Sequence, residues 1–182
     1  MIFKKSHLKG AFVIELERIE DNRGFFARAW CKREFEAHGL NSRLVQCNLS
    51  FNRFRDTIRG MHYQGSPHEE AKFVRCIRGA IFDVIIDLRR ESATYLQWIG
   101  VELTAENRKM LYVPENFAHG YQTLEDNSEV LYQVSQFYSP GAERGVRWDD
   151  PTFAIEWTGK GNTEISEKDK SWPDYVVEDR LP

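Results

Sequence analysis

Five histidines, His7, His38, His62, His68 and His119, are the side chains of this sequence best suited to exchange protons near neutral pH. None forms an H-x-H or H-x-x-x-H pair, so the ligand spacing of a zinc, iron or manganese centre is missing and no metal is expected. His62 and His119 can still meet in space, although scattered imidazoles more often serve as hydrogen-bonded structural groups. No serine sits in a Gly-x-Ser-x-Gly elbow, and Cys31, Cys47 and Cys76 have no activating context. The glycine patterns of nicotinamide, flavin and ATP sites are also missing, so no cofactor is expected. What remains is general acid–base chemistry by His, Tyr and carboxylates. It needs no cofactor when the substrate carries its own electron sink, and a ketone is one. Removing a proton beside the ketone gives an enolate, and returning one to the opposite face inverts the carbon. Two groups on opposite sides are then required, with a cation or donor near the oxygen.

Phosphate recognition would fall to arginine, whose planar fork binds oxygens in pairs. Arg23 and Arg59 each precede a glycine, in DNRGFF and TIRGMHYQ, where the missing side chain lets backbone approach a ligand. Taken singly, each Arg-Gly pair also reads as an ordinary turn.

Short apolar and β-branched runs must position these groups: 11–16, 44–49, 73–77, 80–88, 96–103, 110–113, 121–124 and 129–137. Gly60, Gly65, Pro67, Gly79, Pro114, Gly120 and Pro140-Gly141 fall between them as breakers. One helix is predicted, Lys32 to His38, stopped by Gly39. Many strands with one early helix predict an all-β jelly-roll barrel. Alternation along 129–137 puts Tyr132 on the face of Val130 and Val134, toward the interior. It also puts Lys72 with Val74 and Cys76, opposite Phe73, Arg75 and Ile77, and leaves open which of these faces is inward.

The chain has 182 residues and is 41% hydrophobic, enough for one domain over 1–182 with a single core. No repeat or linker divides it, and Thr158–Thr163 reads as a loop before the C-terminal tail. With 25 Lys and Arg against 28 Asp and Glu, the net charge of −3 offers no general attraction to nucleic acid or anionic lipid. Three widely spaced cysteines fit neither a disulfide framework nor a zinc motif. No stretch approaches the ~20 apolar residues of a membrane span, and no signal peptide is evident. A cytoplasmic protein is the reading.

At its candidate residues the sequence resembles the dTDP-4-dehydrorhamnose 3,5-epimerase family. The likeness runs through Asp21-Asn22-Arg23-Gly24-Phe25-Phe26, Gln46-Cys47-Asn48, Thr57-Ile58-Arg59-Gly60-Met61-His62-Tyr63-Gln64, Lys72 with Val74-Arg75, and Asp83 to Arg89. It continues through Tyr112-Val113-Pro114, Phe117-Ala118-His119-Gly120, Glu129 to Tyr132, Glu143 and Ile165 to Asp169. The resemblance implies a cupin-type jelly roll with a few short helices, commonly a homodimer, acting on a nucleoside-diphosphate-linked 4-keto-6-deoxy sugar. It implies His62 as the base oriented by Asp169, Tyr132 as the opposite-face acid, and Lys72 as the stabiliser of the enolate oxygen. His119 would complete the polar network at the sugar. Arg23 and Arg59 would lie near the diphosphate, with Gln46, Asn48, Glu143 and Lys168 as further contacts and Tyr138 as the stacking partner of the base.

One departure concerns specificity. Where the family commonly carries glutamate after Arg-Gly-Phe-Phe, this chain has Arg28, which can donate but not accept hydrogen bonds. Arg28 either points to solvent or marks a different sugar or nucleotide, with CDP or GDP in place of dTDP. Inversion of C3 or C5 alone, a ketoisomerase, or a silent sugar-nucleotide-binding module are the competing readings.

Overall fold

The computed structural model describes residues 1–159 and 163–177. Fourteen strands are found there: β1 (Ile2–Lys5), β2 (Phe12–Glu15), β3 (Arg18–Asp21), β4 (Gly24–Ala27), β5 (Gln46–Asn52), β6 (Thr57–Gln64) and β7 (Lys72–Arg78). They continue with β8 (Ala80–Asp87), β9 (Trp98–Thr104), β10 (Met110–Val113), β11 (Phe117–Thr123), β12 (Ser128–Val134), β13 (Glu143–Gly145) and β14 (Glu164–Ile165). Two short helices, α1 (Lys32–Ala37) and α2 (Glu167–Lys170), complete the set. The sequence-predicted helix is α1, followed by Gly39 in the left-handed region at φ +70°.

The strands form two facing sheets, a cupin-type jelly roll. The first runs β1-β2-β10-β7-β12-β5, with β1 and β5 at its edges. The second runs β13-β6-β11-β8-β9, with β14 parallel to the first half of β6 and β13 antiparallel to the second half. A separate hairpin, β3–β4, stands outside both.

The inward alternation of both sheets supplies the central core. Val74, Cys76, Leu111, Val113 and Val130 come from the first sheet; Ile81, Ile85, Leu103, Phe117 and Tyr121 come from the second. Helix α1 covers the outer face of the first sheet, its fully buried Phe35 making edge contacts with Phe73 and Tyr112. Burying such a ring contributes roughly 1.5–3 kcal/mol. Behind the second sheet, Val146 and Phe153 pack on Met61, Val84 and Ile86. Polar cavities are lined from both sheets, and most of the candidate residues gather there.

Gly60 and Gly120 do not separate strands as their residue type suggested; they lie inside β6 and β11. The loop reading of Thr158–Thr163 falls partly on 160–162, outside the described residues. Among the described residues no helix is long and apolar enough to cross a membrane.

Candidate active site

Arg59 and His62 are three residues apart, so an unbroken strand would send them to opposite faces. Both nonetheless line the same cavity. A bulge resolves the conflict: His119 pairs with His62 and Tyr121 with Arg59, so the intervening span is longer on β6 than on β11. Gly60, at φ +121°, turns the backbone there, and a Cβ on it would stand 2.6 Å from Gly120 Cα. Gly120 answers in kind, since its own Cβ would stand 2.7 Å from the Arg59 carbonyl oxygen. Two glycines thus let β6 and β11 approach closely enough to face His62 toward His119 across the ladder.

The His62 Nε2 lies 2.6 Å from Asp169 Oδ1. Asp169 is 4% exposed and comes from α2, whose N-cap Ser166 accepts from the Asp169 N–H at 3.1 Å. Its second oxygen accepts from Gly60 N–H at 3.2 Å, tying α2 to the bulge. Burial by itself would raise the Asp169 carboxyl, but the His62 contact, with the Gly60 and Ser166 donors, outweighs it and holds the group below its usual range. A carboxylate on Nε2 fixes that nitrogen as the N–H and leaves Nδ1 as the free base. The Trp172 indole stands edge-on to the imidazole at 6.5 Å, in space that any side chain on Gly145, the β13 partner of His62, would invade.

A second imidazole–carboxylate pair lies on the floor: His119 Nε2 is 2.7 Å from Asp83 Oδ1, with Asp83 fully buried on β8.

The opposing sheet presents Tyr132 on β12 and Lys72 on β7, which resolves the open choice of face in favour of Lys72 inward. Lys72 is 7% exposed; its Nζ donates to the His62 carbonyl at 3.3 Å and pairs with Glu70 Oε1 at 3.2 Å. Tyr132 is raised above the usual phenol range by burial and by the negative charge of Glu70, against the opposing pull of Arg59. A phenol so placed holds its proton at neutral pH, as a proton donor must.

Two adjoining cavities of about 290 and 280 Å³ share His62, Lys72 and Tyr132. The first also takes Arg59, His119, Lys168 and Asp169; the second takes Gln46, Asn48, Tyr138 and Glu143. Lys168 bonds Glu143 at 2.6 Å and Tyr138 Oη donates to Glu143 at 2.8 Å, so these three form one rim cluster. Glu143 is pushed up by burial but more strongly down by Lys168 and Tyr138, and it stays ionised. Arg59 is fixed by Asn52, with Nε to Oδ1 at 2.7 Å.

Arg23 and Arg28 line neither cavity. Arg23 sits in the β3–β4 turn, 89% exposed in its side chain and paired with Asp21. Arg28 pairs with Glu34 at 2.8 Å, and Glu34 also binds the N-terminal amine. Among the described residues no group of three His, Cys, Asp or Glu side chains is placed to hold a metal ion.

Sequence reasoning gave no site role to Glu70, Asp83, Ser50, Tyr121 or Trp172. Two of these were findable: Glu70 is two residues from Lys72, and Asp83 interrupts an otherwise apolar strand pattern. Trp172 carried no local signal, because its meaning depends on Gly145.

The model of the dTDP-4-dehydrorhamnose 3,5-epimerase family matches residues 5–176. A protein of that name from Methanothermobacter thermautotrophicus is 42% identical over 172 residues, covering 93% of this chain and 92% of its own. The crystal structure of dTDP-4-dehydrorhamnose 3,5-epimerase from Elizabethkingia anophelis superposes with a TM-score of 0.93 at 36% identity, covering 96% of both chains. That of the Bacillus anthracis protein of the same name, with TDP and PPi bound, gives 0.91 at 37% identity, covering 96% of this chain and 99% of that one.

Proposed function

The chain belongs to the dTDP-4-dehydrorhamnose 3,5-epimerase family, and on that premise we propose that it inverts C3 and C5 of a dTDP-linked 4-keto-6-deoxyhexose. The observation that carries this reading is the opposition of the His62–Asp169 pair on one sheet to Tyr132 on the other, with Lys72 beside them. His62 Nδ1 takes the proton from the carbon next to the ketone, and Asp169 stabilises the imidazolium that forms. The electron pair moves onto the keto oxygen, where the Lys72 ammonium meets the developing charge. Tyr132 then gives its proton to the opposite face, and solvent restores both groups. His119, anchored by Asp83, holds the sugar from the floor.

Arg59 and Lys168 meet the diphosphate, while Gln46, Asn48 and Glu143 contact the substrate at the second cavity and Tyr138 stacks on the base. No observation favours a CDP or GDP carrier, because the Arg28 guanidinium is engaged by Glu34. In deuterated water the wild-type enzyme is expected to place deuterium at C3 and C5 of dTDP-4-keto-6-deoxyglucose, read by proton NMR. His62→Ala should lose both, and full exchange by that variant removes His62 from the role of base.

The finer reading of its assembly is a homodimer. Ile19 and Phe26 on the β3–β4 hairpin are 67% and 70% exposed, and Leu49, Phe51 and Ile77 add apolar surface on the first sheet. Large apolar side chains exposed in this number support a docking face. Arg23 reaches a diphosphate only from a second copy whose hairpin lies across the cavity. Mixing inactive Arg23→Ala and His62→Ala proteins through unfolding and refolding tests this, since half of the random pairs then hold one intact site. Recovery of about a quarter of wild-type activity is expected. No recovery places Arg23 outside a shared site.

A further inference from the structure

Among the described residues Glu70 is the carboxylate paired with Lys72, and nothing in the proposed reaction uses it. Its side chain is 12% exposed, in the loop that leads into β7, and it lines the same cavity as Lys72 and Tyr132. One oxygen takes the Lys72 ammonium at 3.2 Å; the other is approached by Gln64 Nε2 at 3.4 Å. Gln64 is itself fixed, its two amide hydrogens shared among the His68 carbonyl, the Phe137 carbonyl and this carboxylate, and its oxygen accepting from Ser139 N–H at 2.7 Å. The carboxylate is therefore held from behind and has little freedom to follow its cation.

A buried ammonium on a long, flexible stem keeps its direction only with a fixed partner. A buried carboxylate is costly unless something requires it. We propose that Glu70 is a positioning residue of the reaction, a fixed anion that aims the Lys72 ammonium at the keto oxygen and faces Tyr132 with negative charge. The proposal rests on the acid–base reading given above. It deepens that reading by dividing the opposing sheet into a donor, a cation and the group that sets both.

The surroundings of Tyr132 decide whether Glu70 can have this effect. From β6 come Arg59 and His62, from β7 Lys72, from β11 His119 and Tyr121, and from α2 Lys168 and Asp169. Tyr138 and Glu143 stand at the second cavity, where Glu143 is already neutralised by Lys168. Of all these, Glu70 is the anion that acts on the phenol, and Arg59 is the cation that opposes it.

Glu70→Gln keeps the shape and the reach toward Gln64 while deleting the charge. With the carboxylate gone, the Tyr132 phenol should ionise at lower pH, which carbon-13 NMR of ring-labelled tyrosine follows directly, the signal being assigned by its loss in Tyr132→Phe. This readout needs no substrate, so it fails or succeeds independently of the epimerase reading. In turnover, kcat is expected to fall about tenfold to a hundredfold with KM changed less than about threefold, and the alkaline limb of kcat should move with the NMR titration. Glu70→Asp, which keeps the charge, should titrate close to wild type and recover part of kcat. It also serves as the test if the glutamine variant does not fold. A Tyr132 titration unmoved in Glu70→Gln, or moved equally in Glu70→Asp, overturns the proposal.

Discussion

The two walls of the cavity are built in different ways. Tyr132 and Lys72 stand on β12 and β7, adjacent antiparallel strands in continuous register from Val130↔Cys76 to Val134↔Lys72. Simple alternation points both side chains inward. The His62 wall is assembled from remote pieces: a bulged β6, a glycine on β11, a four-residue helix and an indole near the end of the described chain. A proton donor needs only a face and a protective environment. A base needs a fixed tautomer and a second group in contact, and here that group comes from α2, a helix outside the ladders and 107 positions along the chain.

The largest expected effect comes from cutting the contact between those pieces. Asp169→Asn preserves shape but removes the anion that fixes the imidazole N–H, and kcat should fall by about 10²–10⁴ with KM little changed. Tyr132→Phe is the matching cut on the other wall, and it should leave exchange of the substrate proton with deuterated water while stopping net inversion. Equal loss of exchange in both variants would erase the distinction between base wall and acid wall.

Next in size is the bulge. Gly60→Ala places a methyl group against the Gly120 backbone at a positive φ, so β6 and β11 must separate. We expect a loss of about 3 kcal/mol, read as a fall in Tm of roughly 6–12 °C, together with at least a tenfold loss of kcat. Leu131→Ala, on the outer face of the regular wall, should lower Tm by less than half as much and leave kcat intact. A Gly60→Ala protein as stable and active as Leu131→Ala would show that the close approach of the two strands is dispensable.

This contrast also explains what could be read in the amino-acid sequence. The strand runs, α1 with its stop at Gly39 and the inward Tyr132 follow from period and turn chemistry alone, because each is a local consequence of residue type. The strand that carries His62 was not visible that way. Gly60 breaks the alternation of TIRGMHYQ, and a glycine required for close approach looks in sequence like one required for a turn. His62 received its role as base, and Asp169 and Lys168 were singled out, only through likeness to a family. Arg23 and Arg28 show the converse limit: the motif identified them, yet in the single chain they face Asp21 and Glu34.

A smaller effect is expected from Trp172, which closes the base wall from the side of β13. Trp172→Ala should lower kcat by about tenfold, and Trp172→Phe should restore most of it. Nitrogen-15 NMR of the imidazole should show one His62 tautomer in wild type and averaging in the alanine variant. Loss of stability with an unchanged tautomer would reduce the indole to a packing role.

The smallest effect distinguishes the walls by pH. Asp169 is held below its ordinary value, so its contribution to stability is complete above the unfolded-state carboxyl range near pH 4 and is lost as pH falls through the folded value. Tyr132 is held above its ordinary value, so its contribution is present below about pH 10 and is lost as pH rises through the folded value. Urea midpoints of wild type and the two variants separate these terms from the other ionisable groups, which are common to all three proteins. The deficit of Asp169→Asn should shrink toward acid and be constant above neutrality, whereas Tyr132→Phe should gain on wild type only in alkali. Parallel curves across the whole range would mean that neither ionisation is coupled to folding, and the two walls would then differ in construction but not in their electrostatics.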